Sequence, residues 1–157
     1  MSNLRVDWSV KLSPHLWIEE CRCKDGSLPS SFPETIKPVL WLFEVIRSKM
    51  NAVIEARHGR FFDEGITVTS GYRSPAYNGK LPSNRGKKIK TGAHPAGTAL
   101  DTHPSNGYRL ITYEDYYACV VDSCVDFKEP YRVGKYTKSG FVHVDCWYGH
   151  GSRRWGR

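Results

Sequence analysis

No apolar run in this 157-residue chain approaches the ~18 residues of a membrane-spanning helix, so no membrane span is expected. The opening, Met1-Ser2-Asn3-Leu4-Arg5-Val6-Asp7, lacks the charged-then-apolar layout of a secretory signal, which points to synthesis in the cytoplasm. An even cysteine count is missing too. The five thiols, Cys21, Cys23, Cys119, Cys124 and Cys146, do not suit a disulfide framework and are expected to stay mostly reduced. Cys21-x-Cys23 has no partner pair at zinc-finger spacing, which argues against a second metal site there. Repeats and low-complexity segments are absent. What remains is one domain over residues 1–157, with 39% hydrophobic and 13% aromatic residues, long enough to bury a core without disulfide support.

Acidic side chains are also in deficit. Lysine and arginine number 23 against 16 acids, a formal net charge of +7 that favours polyanions, whether wall polymers or nucleic acid, without choosing among them. Lys80, Arg85, Lys87, Lys88 and Lys90 share one loop without an acid, and Arg153, Arg154 and Arg157 fall in a basic tail over 149–157. A solvated loop and tail accounts for them as readily as a binding surface does.

Local patterns suggest the elements. Residues 1–29 read as an irregular lead-in, anchored by Trp8 and Trp17. Ser31-Phe32-Pro33-Glu34 has the spacing of a capping box with proline in the first turn. Ile36, Val39, Leu40, Phe43, Ile46, Met50, Val53 and Ile54 then recur at steps of three and four, which predicts a long core helix ending near Gly59. Pro38 blurs its start by about a turn, since proline cannot donate the intrahelical bond. A strand over 66–70 feeds a turn at Tyr72-Arg73, and 74–93 reads as a long loop walling a cleft. Strands follow at 98–102, 131–136 and 139–147, the last two joined by the turn Thr137-Lys138-Ser139-Gly140, with a helix capped near Thr112 and running to Cys124. The expected fold is α+β, a small, mostly antiparallel sheet with helices on one face.

The chemistry-bearing residues lie on these strands. His94, Asp101 and His143 supply two imidazoles and a carboxylate, a three-ligand set that leaves a fourth zinc position open, as catalytic sites do. Seven extended steps from His94 to Asp101 would span roughly 23 Å, so the chain must reverse between them, and Pro95 and Gly97 suit a reversal. Alternation puts Asp101 and Ala99 on one face with Leu100 behind, and Phe141, His143 and Asp145 on one face with Val142, Val144 and Cys146 in the core. Asp145, beside a ligand, is the candidate general base. His15, His58, His103 and His150 read as surface histidines.

The order Ser70-Gly71-Tyr72-Arg73-Ser74-Pro75, then His94-x6-Asp101, then Phe141-Val142-His143-Val144-Asp145 resembles the M15 zinc metallopeptidases. That family includes D-Ala-D-Ala carboxypeptidases and bacteriophage L-Ala-D-Glu endolysins, and shares its fold with the Hedgehog signalling domain. The match covers residues 68–146, and Leu12-Ser13-Pro14-His15 with Glu20-Cys21-Arg22-Cys23 is similar to the lead-in of small phage members. The resemblance implies Zn2+ on His94, Asp101 and His143. It also implies that Arg73, with Ser70 and Tyr72 beside it, binds the substrate's carbonyl or terminal carboxylate, a task that suits a planar fork of donors. A structural ion pair closing the turn is the other reading of Arg73. Many relatives carry a catalytic carboxylate a few residues before the last histidine, whereas Tyr136-Thr137-Lys138-Ser139-Gly140-Phe141-Val142 contains none, so Asp145 takes that place.

The function implied is peptidoglycan peptide hydrolysis, cell-wall degradation or remodelling by a monomer that acts after lysis-type release or as a virion component. The basic loop would gather anionic wall polymer, and nucleic acid is not the expected partner. Two alternatives stay open: a terminal D-Ala-D-Ala carboxypeptidase, and a non-catalytic zinc-binding module of the same fold. A nucleic-acid binder would ignore chelators and lose affinity steeply with salt.

Overall fold

The computed structural model describes residues 7–84, 92–127, 130–146 and 153–156. Strands β1 (Lys11–Ser13) and β2 (Leu16–Trp17) form a small antiparallel hairpin, followed by a 3-10 turn at Ile18–Cys21. The lead-in is therefore more ordered than expected, and its anchor differs. Alternation along β2 turns Leu16 inward, where it is fully buried, and leaves Trp17 43% exposed. Trp8 instead carries the Arg22 guanidinium over its ring at 4.7 Å.

The capping box at Ser31 does not form. Ser31 is itself helical, at φ −77° and ψ −11°, and its side chain caps nothing. A one-turn helix α1 (Phe32–Thr35) yields at Ile36 to the long α2 (Lys37–His58). Pro38 has no N–H for the carbonyl four residues back, which places the break there. Gly59 ends α2 at φ 70°, its N–H bonding the Glu55 carbonyl at 2.8 Å. Val39, Leu42, Phe43, Ile46, Met50 and Ile54 form the buried stripe, while Leu40 and Val53 lie at its margin.

Strand β3 (Ile66–Ser70) leads into α3 (Pro75–Lys80), where the sequence suggested only loop. Ser74 Oγ accepts from the Tyr77 N–H at 3.1 Å and Pro75 opens the first turn, a cap and N1 pair that starts a helix. After β4 (Ala99–Pro104) comes α4 (Tyr113–Val125), capped by Thr112 Oγ1 accepting from Asp115 N–H at 3.1 Å. Strands β5 (Arg132–Tyr136) and β6 (Phe141–Asp145) form the expected hairpin, and β7 (Arg153–Gly156) pairs in parallel with β5. Part of the presumed basic tail is thus a strand.

The five-stranded sheet runs β3-β4-β6-β5-β7, antiparallel except at β5–β7. Leu100, Val133, Val142 and Val144 share one face and join α2 and α4 in the core. On that face Thr102 Oγ1 meets Tyr116 OH of α4 at 2.8 Å. The opposite face carries Asp101, His143 and Asp145. The chain is α+β with a small, mostly antiparallel sheet.

Candidate metal centre

Register brings the first two donors together, since Asp101 on β4 lies directly opposite His143 on β6. Facing positions on antiparallel strands share a side of the sheet, so both side chains enter the same cleft. His94 comes from the 92–97 turn, which reverses the chain at Gly97, φ 72°. There Gly97 N–H bonds the His94 carbonyl at 3.1 Å and Thr98 N–H bonds that of Ala93 at 3.0 Å. A Cβ on Gly97 would lie 2.5 Å from Thr35 Oγ1, so α1 can approach only a glycine.

Three donor atoms converge. His94 Nε2 lies 3.2 Å from Asp101 Oδ1 and 3.2 Å from His143 Nδ1, and His143 Nδ1 lies 2.8 Å from Asp101 Oδ1. Ligands on one tetrahedral zinc sit about 3.3 Å apart, close to these separations. All three residues are buried, and together they form a group able to hold a metal ion.

Neighbours fix which ring nitrogen faces the centre. His94 Nδ1 donates to the Gly71 carbonyl at 2.6 Å, leaving Nε2 inward. His143 Nε2 donates to Asp145 Oδ2 at 2.6 Å, leaving Nδ1 inward. Metal-binding histidines are held in this way, the outer N–H bonded to a carbonyl or carboxylate. Burial disfavours charge on His143, but hydrogen bonds to Asp101 and Asp145 outweigh it and push the group up to about 9. Burial dominates at His94 and pushes it down, Asp101 offsetting only part. Burial alone would raise Asp101, but the two imidazoles hold it well below the usual carboxylate range.

Asp145 stands behind the His143 ring. Fully buried, it occupies the far edge of the His143 ring and accepts from Arg132 Nε and Nη2 at 3.0 Å each. Its carboxylate is thus on the ring edge opposite Nδ1, the nitrogen that meets Asp101 and His94. Arg132, unremarked in the sequence, could have been found once β5 was set in register, because it lies opposite Asp145.

Arg73 lines the cleft and is held on three sides. Its Nη2 donates to Asp101 Oδ2 at 2.6 Å, Nε to Ser70 Oγ at 2.8 Å and Nη1 to Asn78 Oδ1 at 3.4 Å. Ser70 thus braces Arg73, while Tyr72 lines the cleft with its ring edge-on to Phe32 at 6.5 Å. The lead-in fixes this turn, as Tyr72 N–H bonds the Cys21 carbonyl at 2.8 Å. A Cβ on Gly71 would fall 2.7 Å from Cys21 Cα.

The cleft measures about 590 Å³, and its walls include Arg22, Tyr77, Tyr136, Phe141 and Trp155. Arg85, Lys87, Lys88, Lys90, Arg157 and His150 lie outside the described residues. Lys80 closes α3 and is exposed, as is Arg154. His103 Nδ1 contacts the Pro104 carbonyl at 2.7 Å, His15 pairs with Glu44 at 2.7 Å and His58 contacts the Leu110 carbonyl at 2.8 Å, and none of the three lines the cleft. All five cysteines are buried and unbridged, and no second metal group occurs among the described residues. Nor is any described helix long and apolar enough to cross a membrane. Comparison with protein-family models, curated proteins and solved structures returns no match. Two imidazole nitrogens and a carboxylate, with His143 giving up its Nδ1 proton, suit a divalent cation of intermediate hardness.

Proposed function

We propose that the chain is a zinc-dependent peptidase of the M15 type, with the Hedgehog-type fold, that hydrolyses stem or cross-bridge peptides of peptidoglycan. One observation carries the reading: His94 Nε2, Asp101 Oδ1 and His143 Nδ1 converge on one point in an open cleft, each held there by an outer partner. The motif order described above supports the substrate class. A bound ion would polarise a peptide carbonyl and make an attacking water acidic enough to act near neutral pH.

The chain's own residues divide the remaining work. Gly71 and Asp145 orient the two imidazoles so that His94 Nε2 and His143 Nδ1 face inward. Arg73 neutralises Asp101 and presents the rest of its guanidinium to the cleft, where it orients a peptide carbonyl or carboxylate. Ser70 and Asn78 fix that guanidinium.

A specific observation favours a second reading, a zinc module that binds without cleaving. Asp101 is the sole carboxylate lining the cleft among the described residues, and Asp145 is turned away. Metal content and muropeptide digestion, measured on wild type and His143→Ala, test both. The peptidase reading expects stoichiometric zinc and cleavage in wild type and loss of both in the variant. Zinc without cleavage selects the binding module, and unchanged zinc in the variant removes His143 from the ligand set. Mass analysis of the products separates internal cleavage from release of terminal D-Ala.

A further inference from the structure

Beside the metal group, one wall of the cleft is aromatic. On β5 and β6, Tyr136 and Phe141 face each other and stack with centroids 4.6 Å apart and planes 21° from parallel. On β7, Trp155 lies opposite Gly134, its ring centroid 5.2 Å from that of His143, and its Nε1–H donates to Tyr136 OH at 3.0 Å. Gly134 makes this arrangement possible. A Cβ there would stand 2.7 Å from Tyr136 Cε2 and 2.8 Å from Trp155 Cε2, so both rings lie over the strand backbone instead of standing upright beside it. Filling the hole above a strand glycine explains why the rings cross it. It does not explain why Tyr136 remains 36% exposed, at the rim of a cleft that also holds the metal group.

We propose that Tyr136, Phe141 and Trp155 form a saccharide-binding shelf, a subsite that stacks on the C–H face of a sugar ring joined to the peptide seated at the metal group. This rests on the peptidoglycan reading, in which the stem peptide hangs from a sugar. An alanine-sized side chain could cover only part of three rings, whereas a pyranose offers an apolar face matched to an aromatic ring and a rim of hydroxyls. Polar groups stand at the shelf's edge to meet that rim: the Tyr136 hydroxyl and Ser139. Tyrosine and tryptophan suit such a boundary because each joins an apolar face to a hydrogen-bonding tip. Nucleic-acid bases also stack on aromatic rings, but they bring phosphates that need cations. Two of the cations beside the shelf are committed, Arg132 to Asp145 and Lys135 to Glu114 at 2.7 Å.

The test is calorimetric titration of the zinc-loaded full chain with four probes: a free stem peptide, the same peptide carrying N-acetylmuramic acid, tri-N-acetylglucosamine and a single-stranded oligonucleotide. Cleavage is followed in parallel. Wild type is expected to bind the glycopeptide about tenfold more tightly than the free peptide, the worth of one good aromatic contact. Tyr136→Ala and Trp155→Ala should abolish that advantage and keep their zinc, while Trp155→Phe should retain part of it. Should the alanine variants fail to fold, the wild-type comparison and Trp155→Phe still decide. Equal affinity of wild type for both peptides overturns the shelf, as does salt-sensitive binding of a single-stranded oligonucleotide in place of sugar. Cleavage indifferent to the sugar sinks the shelf and leaves the peptidase reading, whereas a sugar advantage without cleavage does the reverse.

Discussion

Nε2 of His143 lies 2.6 Å from Oδ2 of Asp145, on the ring edge opposite the nitrogen that faces Asp101 and His94. A carboxylate so placed raises the basicity of the imidazole and fixes its orientation.

Asp145→Asn should therefore act on metal affinity. A loss of about 10–100-fold is expected, with hydrolysis falling in step and recovering when zinc is raised. Chelator competition measures the affinity. Full zinc affinity with abolished cleavage at saturating metal would restore Asp145 as the base.

Metal binding should depend on pH. In the metal-free protein His143 stays protonated up to about 9, and an ion must displace the proton on Nδ1. Apparent zinc affinity should thus rise about tenfold per pH unit below that value and level off above it. Fluorescent-chelator titrations between neutral and alkaline pH would show the slope. A flat profile would mean that His143 is neutral before the ion arrives.

The same shift bears on stability without metal. A histidine whose folded value is raised contributes stability in full below its ordinary value near 6.5, and that contribution is lost as pH climbs through about 9. His94, pushed down by burial, works the other way and erodes stability below about 6.5. Asp101, held low, adds stability that disappears only on strong acidification. Urea denaturation of the metal-free chain should accordingly find its best pH near the ordinary histidine value, with a decline toward pH 9 that zinc removes. Stability still rising across that alkaline interval would contradict the assignment.

Gly71→Ala should destabilise the fold by about 1–3 kcal/mol, because the added methyl meets the Cys21 backbone and not a side chain able to swing away. The displacement would carry Arg73 with it. A lowered urea midpoint at unchanged slope is the expected record. An unchanged midpoint would show that the lead-in does not press on this turn.

Much of the scaffold was readable because its signals are local. The 37–58 helix followed from apolar residues at steps of three and four, and its end from Gly59. The β5–β6 hairpin followed from two β-rich runs around Ser139-Gly140. The Ser74-Pro75 start of α3 carried a signal that the long-loop reading passed over. Ser31 misled in the opposite sense: a capping box needs an extended cap residue, and Ser31 is already helical.

For the site, the amino-acid order by itself determined the donor types and which strand face each would take, because alternation has a period of two and needs no partner. It supplied the reversal between His94 and Asp101 as well. Strand pairing decided the rest. Only the β4–β6 register sets Asp101 against His143, only β5 brings Arg132 to Asp145, and only β7 carries Trp155 to the cleft. Such contacts join residues far apart along the chain, and local periodicity says nothing of which strands become neighbours.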